Sequence, residues 1–370
     1  MGFSEFPPES PISAMFQSKM TRTFHPVGQG AFYSERFYCG TNNVFNVVYD
    51  CGTQTNRKNL TQIIRETFPA INGEKQKINY LFVSHFHEDH INGLKTLLNQ
   101  CEVECIVIPA ITDKNILLCD YIHNTIRSEE NDDDGNWFME MCFSNPNSQQ
   151  IEFNGQRIAL RKIPLDVQPS QNQNVIPAKN FDWEYLLFCP LSGDWRGFVE
   201  EFNKEFPTPY AQFNGNNFMI LKNTFTKKTD GFESLKKLYK NYYKNPKKND
   251  NYYSMAVLSK PTFSIEKADE KMCLYTGDYP ARDKKCLQEL KNNYDAYWNN
   301  FKTMQIPHHG SRCDNPKDLY DITGRNCVYS YGTNNQFHHP CGKMLSELLI
   351  QKESLIPVNE EKGYEKDFRY

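Results

Sequence analysis

The chain has 370 residues, 39% of them hydrophobic and 24% charged, and a formal net charge of −3. These values lie near the globular norm, so they allow a packed core in one large domain or two ordinary ones. They exclude whole-molecule electrostatic attraction to nucleic acid, so any such binding needs a local basic surface.

Residues 1–20, with FPPESP, read as an irregular leader that lacks the basic start and apolar stretch of a signal peptide. No run has the apolar length needed to span a bilayer, so a cytoplasmic protein with no membrane partner is expected. Strand signals follow: TRTFHPV, a Gly28–Gln29–Gly30 turn, AFYSERFY, and NVFNVVYDCGT with Asp50 and Gly52 near its end. NLTQIIRETF has helical spacing, INYLFVS reads as a buried strand, HINGLKTLLNQ as an amphipathic helix and CEVECIVIPA as another strand. That alternation implies a layered α/β protein. SEENDDDGN at 128–136 and QPSQNQNVIPAKN at 168–180 read as polar surface loops. A segment rich in lysine and aromatics comes next, and strand signals return with NYYSMAVLSK, KMCLYTGDYP, FKTMQIPHHGS and NCVYSYGTNN. Twelve cysteines, scattered from Cys39 to Cys341 without paired spacing, are expected as buried reduced thiols.

The strongest chemical signal stands between INYLFVS and its following helix, where His85, His87, Asp89 and His90 fall within six positions. Alternate residues of a strand face the same way, so His85 and His87 can offer both imidazoles to one ion. Asp89 and His90, at the start of the helix, can present ligands to a neighbouring position. Imidazole with carboxylate suits zinc, and manganese or iron where carboxylates and water are more prominent. Such ions make hydroxide available at neutral pH, and a pair can clamp the attacking and leaving oxygens of a phosphoryl group.

His85-Phe-His87-Glu-Asp89-His90 resembles the HxHxDH signature of the metallo-β-lactamase superfamily. VVYDCGT, LYTGDYP and QFHHP resemble that family's Asp-x-Gly strand, its later aspartate motif and its last ligand motif. The resemblance implies an αββα sandwich, two packed mixed sheets flanked by helices, in a single domain over 21–360 with a C-terminal tail at 361–370. VGQGAF (27–32), NYYSMAVL (251–258), LYTGD (274–278), IPHHGS (306–311) and YGTNNQFHHP (331–340) occur in the order seen in the nuclease-like domain of ComEC-type competence proteins. The match covers roughly 22–108 and 251–350, without the membrane channel of those proteins.

The resemblance further implies two divalent metal ions, Zn²⁺ or Mn²⁺. His85 and His87 would hold one, Asp89, His90 and His339 the other, and Asp278 would bridge. Asp50 would orient a signature histidine or the metal-bound water. His309, or failing it His308, would face substrate as general acid or phosphate donor, and Ser311 would add a hydroxyl contact. His25 and His123 read as structural, and His338 as a neighbour without a metal role. No histidine lies between His123 and His308, a lack shared with the competence branch that argues against a lactamase or glyoxalase.

The stretch from FCPL (188–191) to NYYS (251–254) reads as an insertion at about 192–250. It carries Lys227, Lys228, Lys236, Lys237, Lys240, Lys244, Lys247 and Lys248, with Tyr239, Tyr242 and Tyr243 interleaved. Lysines for phosphates and aromatics for bases suit a single-strand contact surface, with Lys236 and Lys240 as substrate contacts. SLKKLYKNYYK is also an amphipathic helix able to pack Leu235, Leu238 and Tyr242 on the core. The expected activity is metal-dependent hydrolysis of phosphodiester bonds, with DNA or RNA as substrate. Two alternatives stay open: a phosphodiesterase for cyclic nucleotides or phosphocholine-like esters, and a subunit activated by a protein partner bound through the insertion.

Overall fold

Runs rich in Val, Ile, Phe and Tyr supply the strands of this chain, as their fit to a pleated, half-buried surface requires. A computed structural model describes residues 18–40, 42–127, 136–167, 174–193, 195–226, 229–245, 248, 250–263, 269–312, 314–320 and 324–369. Among these residues the strands form two mixed sheets. The first contains β1 (Ser18–Phe24), β2 (Phe32–Cys39), β3 (Asn42–Cys51), β4 (Lys77–Phe82), β5 (Glu102–Ala110), β6 (Gln150–Phe153) and β7 (Gln156–Pro164). The second contains β8 (Val175–Ala178), β9 (Trp183–Phe188), β10 (Ala256–Pro261), β11 (Cys273–Tyr275), β12 (Thr303–Gln305), β13 (Asn326–Ser330) and β14 (Ser354–Val358). A last strand, β15 (Tyr364–Arg369), returns to the first sheet and pairs antiparallel with β1. The spatial orders are β15-β1-β2-β3-β4-β5-β7-β6 and β14-β13-β12-β11-β10-β9-β8. β3, β4, β5 and β7 run parallel, as do β11 to β14.

Period-two alternation assigns each strand of the second sheet two faces. Val257, Cys273, Tyr275 and Val328 point to the other sheet, while Leu258, Leu274, Met304 and Cys327 point to helices Lys284–Asn293 and Gly342–Ile350. Between the sheets, Tyr275 stacks on Tyr49 at 5.1 Å, and Phe82 meets Tyr185 at 5.3 Å. A buried ion pair also lies there, Arg22 Nε donating to Glu35 Oε1 at 2.7 Å. The hydroxyls of Tyr275, Tyr185 and Ser259 also donate to Glu35, so its carboxylate is fully satisfied, the condition under which a buried charge is tolerated. On the outer face of the first sheet, helix Arg57–Thr67 buries Leu60, Ile63 and Ile64. The architecture is an αββα sandwich. Among the described residues no helix is long and apolar enough to cross a membrane, and the described cysteines are all free thiols.

Several boundaries differ from the sequence reading. The expected tail at 361–370 carries β15, because β1 would otherwise expose an unpaired edge. Residues 18–20 of the expected leader belong to β1; residues 1–17 lie outside the described residues, as do most of the acidic loop and Lys227, Lys228 and Lys247. The single helix expected over HINGLKTLLNQ is two, Glu88–Ile91 and Leu94–Gln100. Within 192–250 the chain folds as helices Trp195–Glu205, Pro207–Gln212, Met219–Thr224 and Asp230–Tyr243.

Candidate metal centre

The groups with metal-binding chemistry meet because they follow the C-terminal ends of strands in both sheets, the edge where open α/β sheets build sites. Asp50 stands at the end of β3, residues 85–90 follow β4, Asp278 follows β11, His308 and His309 follow β12, and His339 lies beyond β13. β4 stops at Phe82, so His85 and His87 sit in an extended segment past the strand, and the short helix Glu88–Ile91 turns Asp89 and His90 inward. Two glycines permit this close approach. A Cβ at Gly52 would lie 2.5 Å from the Asp89 carbonyl oxygen, and one at Gly30 would lie 2.4 Å from the Gly52 carbonyl oxygen. Gly52→Ala is therefore expected to displace the turn, costing about 1–3 kcal/mol and weakening metal uptake. Thermal denaturation and metal titration check this; no change in either would show that the turn is not seated on Gly52.

His85, His90 and Asp278 form one buried group and Asp89, His90 and His309 a second, with ligand atoms in each within 4.8 Å of one another. His90 Nε2 approaches Asp278 Oδ1 at 3.1 Å without the alignment of a hydrogen bond. Among the described residues, His85 Nε2, His90 Nε2 and Asp278 Oδ1 are buried with no hydrogen-bond partner. The opposite nitrogens are held. Asp50 accepts from His90 Nδ1 at 2.8 Å and from the Ser84 backbone N and Oγ at 2.7 Å each, and Ser84 Oγ lies 2.9 Å from His85 Nδ1. Fixing Nδ1 in this way leaves Nε2 as the ligand atom. His309 follows the same pattern, with Nδ1 at 3.0 Å from the Ser330 carbonyl and Nε2 at 3.2 Å from Asp89 Oδ2 and 3.8 Å from Asp278 Oδ1.

Electrostatics agree with this division. Burial, reinforced by His90 and His87, holds the His85 imidazole neutral, well below its ordinary pKa. Burial and His123 lower His87 to about 3, and burial with His308 and His309 lowers His339 to about 3. Neutral imidazoles are the form a metal requires. His90 departs in the other direction: burial opposes its charge, yet Asp278, Asp50 and Asp89 together hold it protonated well above the usual range. That ring of carboxylates stabilises positive charge at its centre, and a divalent cation supplies it as a proton does. The unpartnered buried atoms and the donor set fit a divalent ion.

His308 is held differently. Its Nδ1 lies 2.7 Å from Asp314 Oδ2 and its Nε2 3.6 Å from Asp278 Oδ2, and it reaches the open cavity. Burial opposes its charge, but Asp278 and Asp314 push its pKa up to about 10. Ser311 Oγ donates to the same Asp314 oxygen at 2.9 Å, so it braces this pair. His339 falls outside both three-residue groups. Its ring is 5.4 Å from His308 and 6.4 Å from His309, and its Nδ1 is buried and unpartnered among the described residues.

His87 is not in either group. It stacks on His123, centroids 3.7 Å apart and planes 3° from parallel. His123, read from the sequence as structural, thus adjoins the signature; its Nδ1 is 2.8 Å from the Tyr239 hydroxyl and 3.2 Å from Asp250 Oδ2. Of the nine histidines, all but His25 line the cavity or lie in the cluster beneath it. His25 is buried away from it, 2.8 Å from Ser34 Oγ.

A cavity of about 580 Å³ opens over the cluster. Neither Lys236 nor Lys240 lines it, in contrast to the expectation. Helix Asp230–Tyr243 buries Phe232, Leu235 and Tyr239, and its period carries Lys240 to the exposed side while Lys236 packs over the Phe232 ring. The cations that do line the cavity are Arg127, Lys248, Arg282 and Arg312. They come from separate segments, so no local pattern in the sequence marks Arg127, Arg282 or Arg312 as a set.

Residues 42–113 match the model of the Metallo-beta-lactamase superfamily. Over 73 residues the chain is 34% identical to Ribonuclease J of Mycoplasma genitalium and 36% identical to that of Mycoplasma pneumoniae. Each alignment covers 19% of this chain and 13% of the relative. A long form RNase Z from yeast aligns with 93% of this chain and 36% of its own, at a TM-score of 0.35 and 11% identity. MEM-A1, a subclass B3 metallo-β-lactamase from a soil metagenome library, aligns with 83% of this chain and 80% of its own, at a TM-score of 0.32 and 9% identity.

Proposed function

We propose that this chain, which carries a metallo-β-lactamase superfamily segment at 42–113 in an αββα sandwich, is a metal-dependent phosphodiesterase that cleaves nucleic acid. The observation that carries this reading is the pair of His/Asp groups beneath a cavity lined by Arg127, Lys248, Arg282 and Arg312. These cations supply locally the positive surface that a net charge of −3 does not supply globally. The partial likeness to ribonucleases J supports a nuclease.

His85 and His90 with Asp278, and Asp89 with His309, are the residues that would hold two divalent ions, Zn²⁺ or Mn²⁺. His90 has a single uncommitted ring nitrogen, so it would serve one ion, whereas Asp278 lies close to His85, His90 and His309 and would be within reach of both. When bound, such ions supply Lewis acidity and a hydroxide at neutral pH. Asp50 and Ser84 orient His90 and His85. His308, kept protonated by Asp278 and Asp314, is placed to donate to a phosphate oxygen or to the leaving oxygen. The geometry therefore favours His309 as a ligand and His308 as the donor, the reverse of the preference drawn from the sequence.

Stripping the protein of metal and adding back Zn²⁺ or Mn²⁺ is expected to raise its thermal midpoint. The ions bind the folded carboxylate ring and not the unfolded chain, which at 100-fold excess over Kd contributes about 2.7 kcal/mol per site. A midpoint indifferent to metal would remove the metal centre. Activity is tested on a fluorogenic single-stranded oligonucleotide and on bis-p-nitrophenyl phosphate, each with Mn²⁺ and Zn²⁺. Turnover of the small ester alone would end the nuclease reading.

A further inference from the structure

The cavity over the metal centre does not close at its far side. It shares Gln29, Gln54, Arg127 and Phe337 with a second cleft of about 700 Å³. Each space falls within the ~300–1,000 Å³ range of sites that enclose a small ligand. A small diester confined to the first cavity leaves the second without a use; a substrate of more than one nucleotide occupies both.

Phe337 stands at the junction and is 38% exposed, one of few large apolar side chains so placed among the described residues. Its ring is held in position, with the Arg127 guanidinium 5.3 Å from its centroid and the His339 ring at 5.8 Å. Past it the second cleft is lined by amides set among charged groups, with Glu88 paired to Arg57, Glu360 accepting from Thr333, and Lys58 beside them. The side chains of Gln54, Asn334 and Gln336 are exposed and make no hydrogen bond to another described residue. An aromatic face beside a guanidinium suits a nucleobase and its phosphate, and side-chain amides offer both donors and acceptors to base edges.

We propose that Phe337 is a stacking platform for the nucleotide next to the scissile phosphate, and that the substrate is a single-stranded nucleic acid running from the metal centre across Phe337 into the amide-lined cleft. Arg127, lining both spaces, holds the phosphate between the two nucleotides. A duplex keeps its bases stacked on one another and cannot offer one to the Phe337 ring. This inference rests on the nuclease reading and names its substrate form.

The test measures binding of fluorescently labelled single-stranded RNA and DNA, and of the same sequences as duplexes, to metal-loaded wild type, Phe337→Ala and Phe337→Trp. A 2-aminopurine base in the strand reports stacking. Single strands are expected to bind more tightly than duplexes. Phe337→Ala should weaken strand binding about 5–150-fold and lose the fluorescence quenching, and Phe337→Trp should retain both. Equal affinity for duplex and strand, or equal behaviour of the alanine and tryptophan variants, would overturn the proposal. The two readings fail separately: a wild type that cleaves oligonucleotides while Phe337→Ala binds normally removes only the platform, whereas absence of cleavage by wild type removes the nuclease itself.

Discussion

Replacing Asp278 with alanine is expected to empty the centre of metal and to lower turnover by about 10³-fold or more. Asp278 is the carboxylate nearest to His85, His90 and His309 together, at 3.9, 3.1 and 3.8 Å. Burial opposes its charge, but His308, His90 and His309 together hold its pKa well below the ordinary carboxylate range. Without it, the group of His85 and His90 keeps no carboxylate of its own, and Asp89 with His309 is the carboxylate–imidazole pair that remains, too little negative charge to hold a pair of divalent ions. Metal ions contribute several kcal/mol to phosphoryl chemistry, which at 1.36 kcal/mol per decade gives the figure above. Metal analysis of the purified variant alongside an oligonucleotide assay measures both effects. Full metal content in Asp278→Ala would show that the ions sit elsewhere, and full activity would remove the metal mechanism.

The adjacent histidines 308 and 309 are expected to separate cleanly. His309→Gln should lose one metal, because its Nδ1 is committed to the Ser330 carbonyl and its Nε2 is directed at the Asp89–Asp278 side of the cluster. His308→Gln should keep both metals and lose about 10²–10⁴-fold in turnover, the usual contribution of a positioned acid. The physical basis is the partner of each ring. A backbone carbonyl takes up Nδ1 of His309 and leaves its Nε2 for the cluster, whereas the Asp314 carboxylate stabilises an imidazolium at His308. Metal counts for the two variants decide the matter: full metal content with lost turnover in His309→Gln would restore the donor role that the sequence favours for His309. His308 and His309 both adopt positive φ, 48° and 53°, which turns two consecutive side chains to different sides of the cavity. That backbone conformation is rare for side chains with a Cβ and has no local sequence signature.

Much of this protein is legible in one dimension because its strongest signals are local. Ile78, Leu81 and Phe82 bury β4 in the first sheet, and the six positions from His85 to His90 are close in space whatever follows. VVYDCGT places Asp50 one strand away, and β3–β4 pairing then brings Asp50 to Ser84. The insertion helix was legible as amphipathic, but whether its lysines face the substrate depends on which neighbour covers its apolar side. The core covers Phe232, Leu235 and Tyr239, and the lysines Lys236 and Lys240 stay away from the cavity. His123 gives the opposite case. An isolated histidine in a helical stretch reads as structural, yet the fold of helix Lys114–Arg127 against the signature stacks it on His87.

By itself, then, the sequence determined the layered α/β class, the metal-binding chemistry of HFHEDH and the order of the motifs, because each depends on residue type and short-range spacing. The tertiary structure alone decided which nitrogen of each histidine is committed, how His308 and His309 divide their surroundings, and which cations line the cavity. These depend on contacts between segments tens to hundreds of residues apart, such as Asp89 with His309 and Arg127 with Phe337. Such contacts follow from the packing of two sheets face to face, and hydrophobic periodicity along the chain carries no record of them.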